Sequence, residues 1–243
     1  MARLLQGLVT LLLAPLLMYQ GKRVRRVTPR LPEAPGERQG QAGSGPPLRL
    51  LILGDSAAAG VGIASQQQAL SGCLAAALAP HAEVHWQLLA QSSLTTAAIT
   101  KLLDGLPEQA FDTVLVSCGV NDVTRSTKPA DFAAHIRQLQ QRLLQHYNAR
   151  VVIYTALPPM HKFPALPQPL RWFLGGKARR LDGVLQRVVA QQPHARLLTL
   201  ELPFSRDYMA SDGFHPSAKA TPLWAGAAAE IIQRELLTHV DTN

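Results

Sequence analysis

Cysteine is scarce in this chain of 243 residues, which contains only Cys73 and Cys118. Two cysteines cannot build a disulfide framework, and their spacing matches no metal-ligand pattern. Charged residues are also few, at 16%, whereas 47% of the residues are hydrophobic, a balance typical of a globular protein and not of a disordered one. We therefore expect a folded domain that uses no metal or other cofactor.

Acidic residues are missing mainly from the N-terminal part of the chain. The formal net charge is +8, and residues 1–49 contain eight Lys or Arg against only Glu33 and Glu37. The remaining 194 residues contain 16 basic and 14 acidic side chains, a net charge of only +2. Because nucleic-acid binding requires a basic surface, we do not expect this nearly neutral part to bind nucleic acid.

Charge is absent altogether from residues 4–20, LLQGLVTLLLAPLLMYQ, and a basic segment, GKRVRRVTPR, comes directly after them. An apolar run of this length approaches the minimum for a helix that crosses a bilayer, and the basic flank favours a cytoplasmic position for the residues downstream of it. We therefore predict a membrane anchor at residues 1–27 with the C-terminal domain in the cytoplasm. The alternatives are an uncleaved or inefficient signal sequence that exports the domain, and a helix lying in the membrane interface.

Proline and glycine are concentrated at residues 28–47, which predicts a linker. In the predicted domain at 48–240, apolar runs rich in Leu, Val and Ile alternate with longer segments of helical spacing. This alternation indicates an α/β fold in which a five-stranded parallel sheet has helices on both faces. The predicted strands are 48–53, 83–89, 113–117, 150–155 and 195–200, and the predicted helices are about 64–79, 94–105, 130–147, 170–191 and 217–238.

The segment LLILGDSAAAGVG, residues 50–62, places a serine just after the first predicted strand. Ligands bind beyond the carboxyl ends of parallel strands, so Ser56 lies where a site is expected. A phosphate-binding loop would need a Gly-Lys-Ser/Thr ending, but no lysine occurs between Lys22 and Lys101, and Ser65 replaces the third glycine of a dinucleotide fingerprint. Two interpretations remain, an ordinary turn and a nucleophilic serine.

A nucleophilic serine needs a base and a group that orients the base. Among eight histidines, His161 and His215 fall in loops that come after predicted strands. His215 stands in SDGFHPS, where Pro216 disfavours a helical backbone at the histidine. Asp212, three residues earlier, can accept a hydrogen bond from the imidazole. The same segment could instead be a turn that caps a helix.

Attack on a carbonyl also creates an oxyanion that needs hydrogen-bond donors. The segment SCGVND lies at the end of the third predicted strand. In it, Gly119 can bring its backbone N–H close to a substrate, and Asn121 offers a neutral amide donor. Asn121 and Asp122 could equally form an ordinary helix cap.

The motifs GDSAAAG, GVND and DGFHP, in this order and on this spacing, resemble the SGNH (GDSL) hydrolase family over residues 48–238. The resemblance implies a flavodoxin-like three-layer α/β/α sandwich and hydrolysis of esters or thioesters. It also implies roles for the motif residues: Ser56 as the nucleophile, His215 as the base, Asp212 as its orienting acid, and the Ser56 N–H and Asn121 as oxyanion donors. Gly54, which lets the chain turn at the strand end, Asp55, which braces that turn, and Gly119 are expected to support the site.

One position departs from the family pattern. The family usually has a glycine after the second strand, and its backbone N–H is a further oxyanion donor; the best match here is Ser93, in AQSSLTT. A serine keeps the N–H, but its side chain makes some backbone angles less accessible.

The predicted function is a serine ester hydrolase of the esterase or lipase type, acting through an acyl-enzyme on Ser56. Its expected substrate is a small-molecule ester, and the predicted anchor suggests a lipid-derived one. The apolar segment 157–174 could line an acyl pocket or pack as a loop over the core. The alternatives are a carbohydrate-ester deacetylase or O-acyltransferase using the same residues, and a non-catalytic membrane-anchored binding domain.

Overall fold

The computed structural model describes residues 2–237, and the side-chain surroundings of residues 9–237. Within this range the strands are β1 (Gln39–Ala42), β2 (Pro47–Gly54), β3 (Glu83–Ala90), β4 (Thr113–Ser117), β5 (Val151–Thr155) and β6 (Ala195–Leu198). The helices are α1 (Ala2–Val27), α2 (Leu70–Leu78), α3 (Thr96–Leu102), α4 (Val120–Thr124), α5 (Pro129–Tyr147), α6 (Leu170–Ala190) and α7 (Thr221–Ile232).

The strands form a six-stranded sheet in the order β1-β3-β2-β4-β5-β6. Strands β2 to β6 are all parallel, and their order along the sheet is that of the flavodoxin-like folds. The strand order reverses between β2 and β4, so a ligand is expected beyond the carboxyl ends of these two strands. The predicted α/β fold with five parallel strands is confirmed.

Two helical layers cover the sheet, because successive side chains of each strand point to opposite faces. In β2, Leu51 and Leu53 belong to the core that includes α3, α5 and α6, whereas Leu50 and Ile52 belong to the core that includes α2 and α7. Burial on both faces explains why the central strands are apolar at nearly every position.

Strand β1 is absent from the prediction. It pairs antiparallel with β3 at the edge of the sheet, and its four residues, QGQA, are mostly exposed. Such a short polar strand has no apolar periodicity, so the sequence pattern does not distinguish it from a loop. The segment predicted as a linker, residues 28–47, therefore contains part of the sheet.

Two helices begin later than predicted. Helix α2 begins at Leu70 because the chain from Ser56 onward forms a turn-rich loop in which Gly60 and Gly62 have positive φ. Helix α7 begins at Thr221, with Pro222 next to it in the first turn. The predicted ends of the last helix, at 238, and of the domain, at 240, lie outside the described residues.

The predicted membrane anchor is wrong. Among the described residues, no helix is both long enough and apolar enough to cross a bilayer. Helix α1 contains Pro15 and continues into the basic residues of its last turn, so its apolar part is shorter than the roughly 20 residues that a span needs. Part of the helix also packs on the domain, since Leu17 is buried in the core and Gln20 hydrogen-bonds to the start of α6. The cytoplasmic position inferred from the anchor loses its basis.

Candidate active site

Ser56 lies just beyond β2, at the point where the strand order reverses. Gly54, the last residue of β2, has no space for a side chain, since a Cβ there would lie 2.8 Å from both the Ser117 carbonyl oxygen and the Ala58 Cβ. Close packing of the two central strands thus requires this glycine. The turn that begins directly after it brings Ser56 to the wall of a cavity.

Asp55 is buried under this turn and holds its shape. Its Oδ1 accepts hydrogen bonds from the Ala57 N–H, at 3.2 Å, and from the Ser117 hydroxyl, at 3.3 Å. Burial raises the pKa of the Asp55 carboxyl to about 6, although these hydrogen bonds and the nearby His215 act in the opposite direction. The carboxyl therefore ionises at a higher pH than an ordinary aspartate.

His215 projects from a tight turn that Asp212 stabilises. Asp212 Oδ1 accepts hydrogen bonds from the backbone N–H groups of Phe214, at 2.9 Å, and His215, at 3.1 Å. Gly213 has a φ of +68°, and the Ala210 N–H donates to the His215 carbonyl at 2.8 Å, which closes the turn. The short spacing of the DGFH segment thus fixes the imidazole relative to the carboxylate.

The structure brings Ser56, His215 and Asp212 into one chain of hydrogen bonds. His215 Nδ1 lies 2.5 Å from Asp212 Oδ2, and His215 Nε2 lies 2.8 Å from Ser56 Oγ. A carboxylate can only accept, so Nδ1 carries the hydrogen and Nε2 is free to accept from the serine hydroxyl. This arrangement can remove a proton from Ser56.

Asp212 is suited to remain ionised in this chain. Burial opposes ionisation of the carboxyl, but the hydrogen bonds from His215 and from the Phe214 N–H outweigh it, and the pKa is lowered below its ordinary value. A carboxylate at this place stabilises positive charge on the imidazole.

Three potential oxyanion donors belong to residues that line the cavity: the backbone N–H groups of Ser56 and Ser93, and the side-chain amide of Asn121. The backbone N–H groups of Ser56 and Ser93 donate to no acceptor within the described residues. Asn121 Nδ2 donates one hydrogen to the Leu94 carbonyl, at 3.0 Å, which leaves its second hydrogen for a ligand. All three residues line the same cavity.

Ser93 has a φ of +67°, which lies in the left-handed region. This region favours glycine, so the backbone at Ser93 has the conformation expected of the family glycine that the serine replaces. Since the N–H belongs to the backbone, a serine keeps the potential donor that a glycine would supply. It adds a conformational cost of about 1 kcal/mol.

Gly119 caps the N-terminus of α4 with a φ of +106°, and a Cβ there would lie 2.9 Å from the Leu157 side chain. Its neighbours Cys118, Val120 and Asn121 line the cavity. Gly119 therefore allows the tight turn that positions Asn121 on the cavity wall.

The cavity beside Ser56 has a volume of about 830 Å³. Part of the segment 157–174 lines it, as the acyl-pocket interpretation required, and so do N-terminal residues from Val24 to Leu31. Most of its wall is apolar, and its apolar side chains include Leu157, Met160, Phe163, Phe204, Phe214 and Trp224.

The sequence pattern of the GDSL-like lipase/acylhydrolase family matches residues 52–221, which is more than half of the chain. The chain belongs to this family. The resemblance carried by GDSAAAG, GVND and DGFHP is thereby confirmed at the level of the family, whose members are hydrolases acting on esters.

Known proteins agree with the family assignment. This GDSL-like hydrolase is 27% identical over 234 residues to the GDSL-like esterase Rv1075c of Mycobacterium tuberculosis, covering 86% of this chain and 73% of that protein. It shares its fold with the inhibitor-bound aryl esterase of M. smegmatis, with a TM-score of 0.61, 22% identity, and coverage of 78% of this chain and 100% of that one. Esterase EstA of Pseudoalteromonas has a TM-score of 0.58, 19% identity, and coverage of 76% and 97%.

His161, a candidate base in the sequence, lies away from the site of this GDSL-like hydrolase. His161 is exposed, and its Nδ1 lies 3.4 Å from Arg179 Nη1, outside the cavity wall. Among the described residues, no cluster of His, Cys, Asp or Glu side chains is able to hold a metal ion.

Other residues of the GDSL-like hydrolase make contacts near the site that the sequence pattern does not predict. Glu33 and Arg38, in the predicted linker, hydrogen-bond to the end of β3 and the loop that carries Ser93. Asp122 is fully buried, and its Oδ2 accepts from the N–H and the hydroxyl of Thr96, each at 2.9 Å. Nothing in the segment around Glu33 indicates a partner 59 residues away.

Proposed function

We propose that this protein is a serine ester hydrolase that forms an acyl-enzyme on Ser56. The observation that carries the proposal is the hydrogen-bond chain from Asp212 through His215 to the Ser56 hydroxyl, with distances of 2.5 and 2.8 Å, at the wall of a large apolar cavity. A serine, a base and an orienting carboxylate in this geometry are the groups that nucleophilic catalysis at an ester requires.

In the first half of the reaction, Ser56 Oγ bonds to the ester carbonyl carbon while its proton moves to His215 Nε2. The carbonyl oxygen becomes an oxyanion, which accepts hydrogen bonds from the Ser56 N–H, the Ser93 N–H and the Asn121 amide. The bond to the leaving oxygen then breaks, and His215 gives its proton to that oxygen. An alcohol departs and the acyl group remains on Ser56.

In the second half, water repeats the attack. Its oxygen bonds to the acyl carbon while one of its protons moves to His215 Nε2. The bond between the acyl carbon and Ser56 Oγ then breaks, and the serine oxygen takes the proton back. A carboxylic acid leaves, and Asp212 has stabilised the imidazolium in both halves.

The cavity favours an ester with an apolar acyl group. Its volume of about 830 Å³ is sufficient for a chain of several carbons or an aromatic ring, and its apolar wall would contact such a group more favourably than acetate. A lipid-derived ester is one substrate class with this chemistry. The support for it is the cavity alone, because the predicted anchor is wrong.

The test is hydrolysis of p-nitrophenyl esters of increasing acyl length by the wild-type protein and by Ser56→Ala. We expect kcat/KM to rise from acetate to medium-length chains in the wild type, and Ser56→Ala to be inactive on every ester while retaining its fold. An unchanged rate in Ser56→Ala would reject the proposal, and a preference for acetate would reject the apolar acyl group.

The same measurements include Asn121→Ala and a sugar acceptor. Because removal of one side-chain oxyanion donor typically lowers turnover by about 10²–10³, Asn121→Ala should lose activity by that order.

A carbohydrate deacetylase or acyltransferase would use the same side chains. Acyl transfer to the sugar that outpaces transfer to water would identify the transferase.

A further inference from the structure

Glu33 and Arg38 connect the N-terminal segment to the loop that carries Ser93. Glu33 Oε1 accepts hydrogen bonds from both the N–H and the hydroxyl of Ser92, each at 2.7 Å. Glu33 Oε2 pairs with Arg38 at 2.5 Å, and the other terminal nitrogen of Arg38 donates to the Ala90 carbonyl at 2.6 Å. The two side chains thus hold the end of β3 and the residue just before Ser93.

We propose that Glu33, supported by Arg38, is a positioning residue that keeps the Ser93 N–H directed at the oxyanion. This inference rests on the proposed function, because it assigns a role to a residue that acts on one of the proposed donors. Glu33 and Arg38 both lie outside residues 52–221, the part of the chain that matches the family. The N-terminal segment would then complete a site whose reacting groups all lie in the family domain.

Ser93 needs such support because its backbone is in the left-handed region, with a φ of +67°. A serine in this conformation is less stable than a glycine by about 1 kcal/mol. Rotation of the peptide between Ser92 and Ser93 would relieve this strain and turn the Ser93 N–H away from the cavity. Two hydrogen bonds from Ser92 to a single carboxylate oxygen fix the residue on the N-terminal side of that peptide and so limit its freedom to rotate. Glu33 therefore holds the donor direction that the residue at 93 disfavours.

The C-terminal side of the loop is held by other contacts. Asn121 donates to the Leu94 carbonyl, Arg125 donates to the Ser93 carbonyl at 3.4 Å, and Asp122 accepts from Thr96. These groups come from α4 and its C-terminal end, within the family domain. Loss of Glu33 would therefore free the Ser92 side of the loop and leave the rest attached.

The charges are consistent with this role. Partial burial opposes ionisation of Glu33, but the hydrogen bonds from Ser92 and the contact with Arg38 outweigh it and lower the pKa of the carboxyl. A carboxylate near a developing oxyanion would normally oppose catalysis. The guanidinium of Arg38, directly on the far oxygen of Glu33, compensates that negative charge.

The experiment is a double-mutant cycle of Glu33→Ala and Ser93→Gly, with p-nitrophenyl butyrate as the substrate. Glu33→Ala should lower kcat by about tenfold or more with KM changed less than about twofold, since complete loss of one oxyanion donor costs about 10²–10³ and Glu33 only orients one. In the Ser93→Gly background the same substitution should cost at most about threefold, because glycine needs no help to adopt the positive φ.

A trifluoromethyl ketone probe separates positioning from a merely structural role. Its tetrahedral adduct on Ser56 carries an oxyanion, so its affinity should fall in parallel with kcat in Glu33→Ala. Glu83→Ala is the matched control, because Glu83 hydrogen-bonds to His85 and Gln41 at the opposite end of β3. We expect wild-type kcat and probe affinity in that control.

The outcomes distinguish the two proposals. If Ser56→Ala is inactive but Glu33→Ala keeps wild-type kcat, the positioning role is overturned and the proposed function stands. An equal loss for Glu33→Ala in both backgrounds also overturns it. If Ser56→Ala keeps full activity, the proposed function itself fails. Should Glu33→Ala not fold, Glu33→Met replaces it, since methionine keeps the length of the side chain but has no oxygen to accept from Ser92, and an unchanged kcat in that variant overturns the inference.

Discussion

At the scale of single residues, the site depends on carboxyl groups in contrasting surroundings. Asp212 receives hydrogen bonds from His215 and from two backbone N–H groups, which together outweigh the effect of burial and lower its pKa. Asp55 receives weaker support in a fully buried place, and burial raises its pKa to about 6. One carboxyl is therefore held as an anion, while the other resists ionisation.

The raised pKa of Asp55 predicts a specific pH dependence of stability. Between pH of about 4 and about 6 the native state binds a proton that the unfolded state has lost, so the free energy of unfolding falls as the pH rises through this window. The shift from 3.8 to about 6 corresponds to about 3 kcal/mol by pH 7. Asp55→Asn keeps an acceptor for Ala57 and Ser117 but cannot ionise.

Urea unfolding of wild type and Asp55→Asn at several pH values measures this effect. The stability of Asp55→Asn relative to wild type should increase from pH 4 to pH 7, and the difference cancels the contributions of other titrating groups. A difference that stays constant over this window would show that Asp55 does not titrate there.

Residue identity also shows where sequence reasoning reaches its limit. The motif GDS indicates Ser56, and the family pattern marks Ser93 as a departure; the positive φ at Ser93 is the backbone angle that a glycine there would adopt readily. Glu33 cannot be found in this way. Its partner Ser92 is 59 residues away, and no spacing rule links the two.

At the scale of elements, the wall of the cavity depends on how α6 packs under the turn at Met160–Lys162. Gly175, inside α6, lies against His161: a Cβ there would be 2.5 Å from the His161 Cβ and 2.9 Å from its backbone nitrogen. The backbone of the turn cannot approach the helix so closely if residue 175 has a side chain. Met160, in the same turn, lines the cavity.

Gly175→Ala should therefore destabilise the protein by about 1–3 kcal/mol, the usual cost of overpacking. For a protein of this size the melting temperature should fall by several degrees, at about 2–4 °C per kcal/mol. Differential scanning calorimetry measures this shift.

Gly183→Ala, in the same helix, is the matched control. A Cβ at Gly183 would meet only the guanidinium of Arg187, at an ordinary 3.6 Å. Since alanine is a better helix former than glycine, this variant should be more stable by about 0.5–1 kcal/mol. Equal shifts in both variants would contradict the packing account of Gly175.

The sequence predicts best those helices and strands that have a clear pattern of apolar residues. The central strands β2, β4 and β5 are buried on both faces along most of their length, so each is visible as a nearly continuous apolar run. Strand β1 is short, polar and exposed, whereas the later part of the loop from Ser56 to Ala69 has a composition that favours a helix. Both errors concern segments whose structure is set by distant partners and not by local periodicity.

At the scale of the whole molecule, the N-terminal segment is part of the domain surface. The Pro32 carbonyl accepts from the Gly62 N–H at 2.9 Å, and the Pro35 carbonyl accepts from the Gln66 N–H at 2.8 Å. Residues 31–35 thereby lie along the loop that begins at Ser56, next to the cavity. Their composition indicates a linker, but composition alone does not reveal the partners of backbone groups.

The most direct test of the central claim is intact-mass analysis after reaction with a fluorophosphonate. If His215 activates Ser56 as proposed, the wild-type protein should gain one adduct, and peptide mapping should place it on Ser56. Ser56→Ala should gain none under the same conditions. An adduct on a different residue, or equal labelling of Ser56→Ala, would contradict the assignment of Ser56 as the nucleophile.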